Sequence, residues 1–121
     1  MTREDYQLMT VAQGGRCFHC GEPIGAKATD DHLIPRAYGG ADVAGNVVLV
    51  HRRCNQLKGD RLPTAEEVER LVEQRRRSRL GVWPPLLALL DAEPGQEWIA
   101  VAVAIRAQGS ESRLTRREAE D

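Results

Sequence analysis

The chain has 121 residues, 41% of them hydrophobic and 29% charged, and a formal net charge of −1 at neutral pH. That length holds one modest domain with a short appendage and excludes a large multidomain enzyme. The near-zero charge provides no overall attraction to nucleic acid, so any phosphate partner must be drawn locally.

Residues 3–13 carry Tyr6, Leu8, Met9, Val11 and Ala12 in a loose helical pattern that Gly14 and Gly15 end, which predicts a short N-terminal helix. Nothing at the start resembles a signal peptide, and the longest apolar stretch, 98–105, falls far short of the roughly 20 residues that span a bilayer. A soluble, cytoplasmic protein with no membrane partner is expected. Residues 17–25 are rich in Cys, Gly and Pro; Ala28 to Ile34 and Val47 to Val50 then read as two short strands around a glycine-rich loop, 35–45. His51 to Lys58 contains no breaker and ends at Gly59, the pattern of a short helix.

Farther on, Thr64 and Glu67 have the spacing of a capping box, opening a helix with an apolar stripe of Val68, Leu71 and Val72 that is predicted to reach Leu80. Glu66 with Arg70 and Glu73 with Arg77 stand four apart in the favourable order. Gly81 and the Pro84–Pro85 pair stop that helix, and Leu86 to Leu90 suits one further helical turn. Residues 98–105 fit two descriptions: Ile99, Val101, Val103 and Ile105 alternate with alanines as in a strand, while Glu97 before and Arg106 and Gly109 after suit a helix's ends. The polar, charged residues 110–121 are expected to be a disordered tail. The chain thus divides into a core over 1–62, a mainly helical extension over 63–109, and the tail.

With five aromatics, Tyr6, Phe18, Tyr38, Trp83 and Trp98, the core is lean, and small lean cores often rely on a metal or crosslink. The cysteines supply a candidate. Cys17 and Cys20 form a C-x2-C turn followed by Gly21, and His51 and Cys54 form an H-x2-C pair at the start of the later helix. Four soft ligands in two close pairs complete a tetrahedron, which predicts a structural zinc site with no open position for chemistry. Three cysteines in a reducing compartment argue against a disulfide framework. A thioredoxin-like redox pair would open a helix within a βαβ unit, whereas Gly21 and Pro23 follow here. His19, between two ligating cysteines, is expected to point to solvent.

Between the ligand pairs lie Asp30-Asp31-His32-Leu33-Ile34-Pro35, Gly39-Gly40 in the loop, and Asn46 ahead of the second strand; Cys54-Asn55-Gln56-Leu57-Lys58-Gly59 follows on the helix. In order and spacing, residues 16–60 resemble the zinc-knuckle subset of the HNH endonucleases. The resemblance implies an α+β protein with a small ββα-metal core, stapled by the Cys3His zinc site, that cuts phosphodiester bonds. It implies His32 as general base, Asp31 and Asn55 as ligands of a catalytic Mg²⁺ or Mn²⁺, Asn46 as a structural tie for the loop, and Lys58 as a phosphate contact one turn beyond Asn55. The chemistry agrees: neutral imidazole takes a proton near pH 7, and hard oxygen ligands suit Mg²⁺. Arg36, Arg52, Arg53 and Arg61 are candidates, with Lys58, to track a DNA backbone, or else a solvated surface. Strand periodicity alone places Asp30, not Asp31, on the face of His32; the choice of Asp31 rests on the resemblance.

The implied activity is nicking of DNA, expected to be double-stranded. Alternatives are a non-catalytic zinc module that binds nucleic acid or protein, and a nuclease subunit of a larger complex such as phage packaging machinery. Residues 63–109 are the candidate surface for a second copy or a protein partner. Within them, Arg75-Arg76-Arg77-Ser78-Arg79 is either a DNA-binding stripe or, by the weight of Glu66, Glu67, Glu69 and Glu73, a solvated helix face.

Overall fold

The computed structural model describes residues 1–120, with side chains described over residues 1–108. The expected disordered tail, 110–121, therefore lies outside the residues whose side chains are described.

Helix α1 (Arg3–Ala12) starts at Thr2, whose hydroxyl accepts from the Asp5 amide while the Asp5 carboxylate accepts from the Thr2 amide. This reciprocal cap satisfies two amides that the first turn leaves unpaired. Strand β1 (Thr29–His32) pairs antiparallel with β2 (Val47–Val50), His32 facing Val47 and Asp31 facing Val48. β1 is shorter than the sequence predicts because Asn46 takes over beyond it. The Asn46 backbone carbonyl accepts from Leu33 N–H, its side-chain oxygen accepts from Ile34 N–H, and its amide nitrogen donates to the Ile34 and Ala41 carbonyls, all near 3 Å. The loop between the strands folds back so tightly that a Cβ on Gly40 would lie 1.7 Å from the Ile34 carbonyl oxygen, a position only glycine can fill.

β2 is buried along its whole length, and successive residues go to opposite sides. Val47 and Leu49 pack with Met9 of α1, whereas Val48 and Val50 join Phe18, Leu33 and Ile34 in the main core. Helix α2 (Arg52–Lys58) follows, and then α3 (Ala65–Arg75), capped by Thr64 and Glu67 as the sequence predicts. Val68, Leu71, Leu86, Leu89 and Val101, all beyond residue 62, bury in the same core as the strands.

Helix α3 ends at Arg75 rather than Leu80, and Arg75 itself turns inward. Its guanidinium donates to the carbonyls of Ala44 (2.6 Å) and Val47 (2.7 Å), and burial lowers its pKa to about 10. A buried cation needs such acceptors; Arg75 is thus an internal clamp on the β1–β2 loop and not part of a DNA-binding stripe. The expected four-apart ion pairs also differ. Glu73 meets Arg76 at 3.5 Å, and Arg70 donates to the Phe18 carbonyl with its guanidinium 4.7 Å from the Phe18 ring centre. A 3₁₀ helix covers Pro84–Leu90. Helix α4 (Glu97–Glu120) resolves the ambiguous segment: Val101 is buried and Ile105 half-buried one turn later, while Trp98, Ile99 and Val103 are exposed. A strand would have turned Ile99, Val101, Val103 and Ile105 to one face. Among the described residues, no helix is long and apolar enough to cross a membrane.

Candidate metal centre and active site

Cys17 and Cys20 sit on the turn between α1 and β1, which an Arg16–Pro23 bridge closes; His51 caps α2, and Cys54 lies in its first turn. Their ligand atoms all lie within 4.8 Å of one another. Cys20 Sγ and Cys54 Sγ are 3.3 and 3.9 Å from His51 Nδ1, and ligands on one tetrahedral zinc stand about 3.8 Å apart. The imidazole is aimed for ligation: its Nε2–H donates to the Pro23 carbonyl at 3.0 Å, leaving the Nδ1 lone pair toward the sulfurs. The thiols show why a cation belongs there. Burial raises the Cys17 pKa, but backbone N–H groups of Cys20, His51 and His19 outweigh it and bring the thiol down to about 6. Burial and its neighbours Cys17 and Cys20 instead push Cys54 up to about 11, a crowding of sulfurs that a bound ion relieves. The group is compatible with structural zinc, and with four protein ligands it keeps no open position.

His19 does not point to solvent. Its side chain is 12% exposed and lies between two carboxylates, with Nε2 2.5 Å from Asp31 Oδ2 and Nδ1 3.2 Å from Glu67 Oε2. The hydrogen bond with Asp31, then that with Glu67, raises the His19 pKa to about 9. Burial acts against ionisation of Glu67, yet the bonds from His19 and Arg61 hold its carboxyl far below the usual range. Glu67 is legible in the sequence only as a capping residue; its contact with the knuckle depends on where α3 docks.

Asp31, His32 and Asn55 come together, with Asp30 and Asp60, in an open cleft of about 190 Å³. The β pleat turns Asp30 and His32 to one side of β1 and buries Asp31 on the other, as alternation requires. His32 Nε2 lies 3.0 Å from Asp42 Oδ1, and Asp42 Oδ2 is 3.6 Å from the exposed Arg36. That hydrogen bond with His32 draws the Asp42 carboxyl below its usual value. Tyr6 of α1 donates to Asp30 at 2.6 Å. Asp42 and Tyr6 carry no sequence signal that marks them as neighbours of the cleft.

Lys58 is buried and turned inward, its ammonium donating to Asp31 Oδ1 at 2.9 Å and to the His32 carbonyl at 2.8 Å. The sequence suggests a phosphate contact; the structure gives the ammonium a buried carboxylate instead, the partner that a buried cation requires. Arg61 is likewise engaged, forking onto both Glu67 oxygens at 2.8 and 3.1 Å. Arg52 and Arg53 are exposed on α2, and Arg36 lies at the rim of the cleft. Asn46 lies behind the cleft, its amide wholly engaged in the loop.

All four cluster residues, both cleft ligand candidates and His32 fall within residues 17–61, which match the family profile for HNH endonuclease. A 50-residue stretch of the chain is 42% identical to the CRISPR-associated endonuclease Cas9 of Corynebacterium diphtheriae; it covers 40% of this chain and 5% of that protein. The matched stretch, 17–61, thus contains the cleft and the Cys3His group, whereas Glu67, which holds His19 from the far side, belongs to α3 beyond it.

The cleft's donor set suits a hard divalent ion. Asp31 and Asn55, both lining the cleft, each carry a side-chain oxygen, and a metal held by two such oxygens would keep other positions for water and phosphate, as Mg²⁺ prefers. The hydrogen bonds from Lys58 and His19 do not exhaust Asp31, because a carboxylate has about four lone-pair sites.

Proposed function

We propose that the protein is a metal-dependent endonuclease that hydrolyses DNA phosphodiester bonds and nicks one strand at a time. The observation that carries this reading is the meeting of His32, Asp31 and Asn55, from β1 and α2, in one open cleft within the stretch that matches the HNH endonuclease family. Asp42 accepts from Nε2–H of His32, which leaves Nδ1 as the basic nitrogen to take a proton from the attacking water. Asp31 and Asn55 would hold the Mg²⁺ or Mn²⁺, which when bound would supply positive charge for the phosphoryl and leaving oxygens. Lys58 supplies the counter-charge to buried Asp31, and Asn46 ties down the loop that follows the base. Arg36, Arg52 and Arg53 are the exposed cations that track the backbone, so binding weakens with salt and depends little on base sequence. One base and one metal site per chain cut one strand per encounter.

Supercoiled plasmid provides the test. Purified protein with Mg²⁺ or Mn²⁺ converts it to nicked circles, and EDTA stops the reaction. His32→Ala keeps fold, zinc and DNA binding but loses on the order of 10²–10⁴-fold in rate, the usual cost of removing a general base. Near-normal cleavage by folded His32→Ala protein refutes this assignment.

A further inference from the structure

The network behind the cleft has a direction. Arg61 grips both oxygens of Glu67, Glu67 meets His19 Nδ1, His19 Nε2 meets Asp31 Oδ2, and Lys58 holds the other Asp31 oxygen. It passes through Glu67 of α3, beyond the matched residues 17–61, and ends on a carboxylate that lines the cleft. We propose that Glu67 and His19 are positioning residues that set the orientation of Asp31 toward the catalytic metal, so that α3 completes the site. This rests on the reading of Asp31 as a metal ligand.

The geometry supports more than a folding role. Either carboxylate, buried alone, needs donors; a single imidazole set between them serves both and makes the position of one depend on the other. His19 is fixed by the knuckle, since it lies within the turn from Cys17 to Cys20, and Glu67 by its cap, since Thr64 N–H donates to Glu67 Oε1 at 2.9 Å. Asp31 is therefore held against two rigid supports and by Lys58 on its other oxygen, with lone pairs left for a cation. Groups that orient a metal-binding side chain in this way commonly change metal affinity by 10–100-fold when altered.

The test uses the full-length, zinc-loaded protein with Mn²⁺ as probe, its binding followed by titration calorimetry and its cleavage by plasmid nicking. Glu67→Gln retains an oxygen for the Thr64 cap but accepts poorly from His19. It is expected to weaken Mn²⁺ binding 10–100-fold, with cleavage largely restored at saturating Mn²⁺ and with zinc content unchanged. His19→Gln, whose amide donates to one carboxylate and not both, is expected to do the same and serves as the second variant should Glu67→Gln fail to fold. In an Asp31→Asn background Glu67→Gln should cause no further loss, because the chain then ends on a side chain that no longer depends on it. Unchanged Mn²⁺ affinity in folded Glu67→Gln or His19→Gln protein overturns the proposal, as does an equal loss in both backgrounds. If Asp31→Asn itself leaves Mn²⁺ binding intact, the reading of Asp31 as a ligand falls. If Asp31→Asn weakens binding and the other variants do not, that reading stands and the positioning role alone is lost.

Discussion

β1 separates two environments one residue apart. On one side Asp30 and His32 face an open cleft, and their partners Tyr6 and Asp42 reach them from the edges. Asp31, though it also lines the cleft, is turned to the other side of the strand, 3% exposed and held by Lys58 and His19, with Glu67 beyond His19. The two histidines display the contrast most directly. His32 meets a single, exposed carboxylate, whereas His19 is set between two buried ones, whose hydrogen bonds raise its pKa to about 9. Residue type is the same on both sides; the number and the burial of the carboxylates that each ring meets differ.

Breaking the Cys3His group or the Lys58 pairing on the enclosed side is expected to cost stability, and breaking the open side activity alone. The largest effect should come from the Cys3His group: Cys20→Ser, or a strong zinc chelator, is expected to release the metal and melt the knuckle with the hairpin following. Structural zinc binding is worth about 10–16 kcal/mol in small domains, comparable to a whole domain's stability. Circular dichroism against zinc content checks it, and an active, folded, zinc-free protein would refute it. Next, Lys58→Met should lower unfolding stability by roughly 3–5 kcal/mol, because it strands the buried Asp31 charge beside a single remaining donor. Urea melts measure the loss; a change under 1 kcal/mol would mean that water reaches Asp31 and that the two sides are not distinct.

Asp42→Asn sharpens the comparison from the open side. It should leave the urea midpoint nearly unchanged, since Asp42 is exposed, yet reduce nicking, by less than His32→Ala does, because an amide holds the His32 ring less firmly. Unaltered rate would place no orienting role on Asp42. The smallest effect concerns pH. The hydrogen bond with Asp30, ahead of burial, raises the Tyr6 pKa from about 10 to about 12. The folded state thus keeps the phenolic proton that the unfolded chain loses near pH 10. This contribution to stability is present below pH 10 and disappears as pH rises toward 12. Tyr6→Phe should remove that alkaline decline, seen as parallel urea melts at pH 9 and pH 11 where the native protein's midpoint shifts more; an identical shift in both proteins would show the bond absent in solution.

Much of this was legible in the chain because the signals are local. The capping box at Thr64 and Glu67, the Gly14–Gly15 stop, the apolar run of β2 and the two ligand pairs each depend on residues a few positions apart, and all stand as expected. Asn46 was legible through resemblance, and its amide does engage the loop. Tertiary structure decided the rest. Residues 98–105 suited helix and strand alike until the core took Val101 and Ile105 but left Ile99 and Val103 exposed. The fates of His19, Lys58, Arg70 and Arg75 were likewise undetermined, for a long charged or polar side chain takes the partner that the fold brings nearest. A zinc ligand pair is set by covalent spacing and a helix cap by backbone geometry. The pairing of His19 with Glu67, or of Arg75 with the Val47 carbonyl, exists only once α3 has docked on the hairpin, and burial then makes such pairing obligatory.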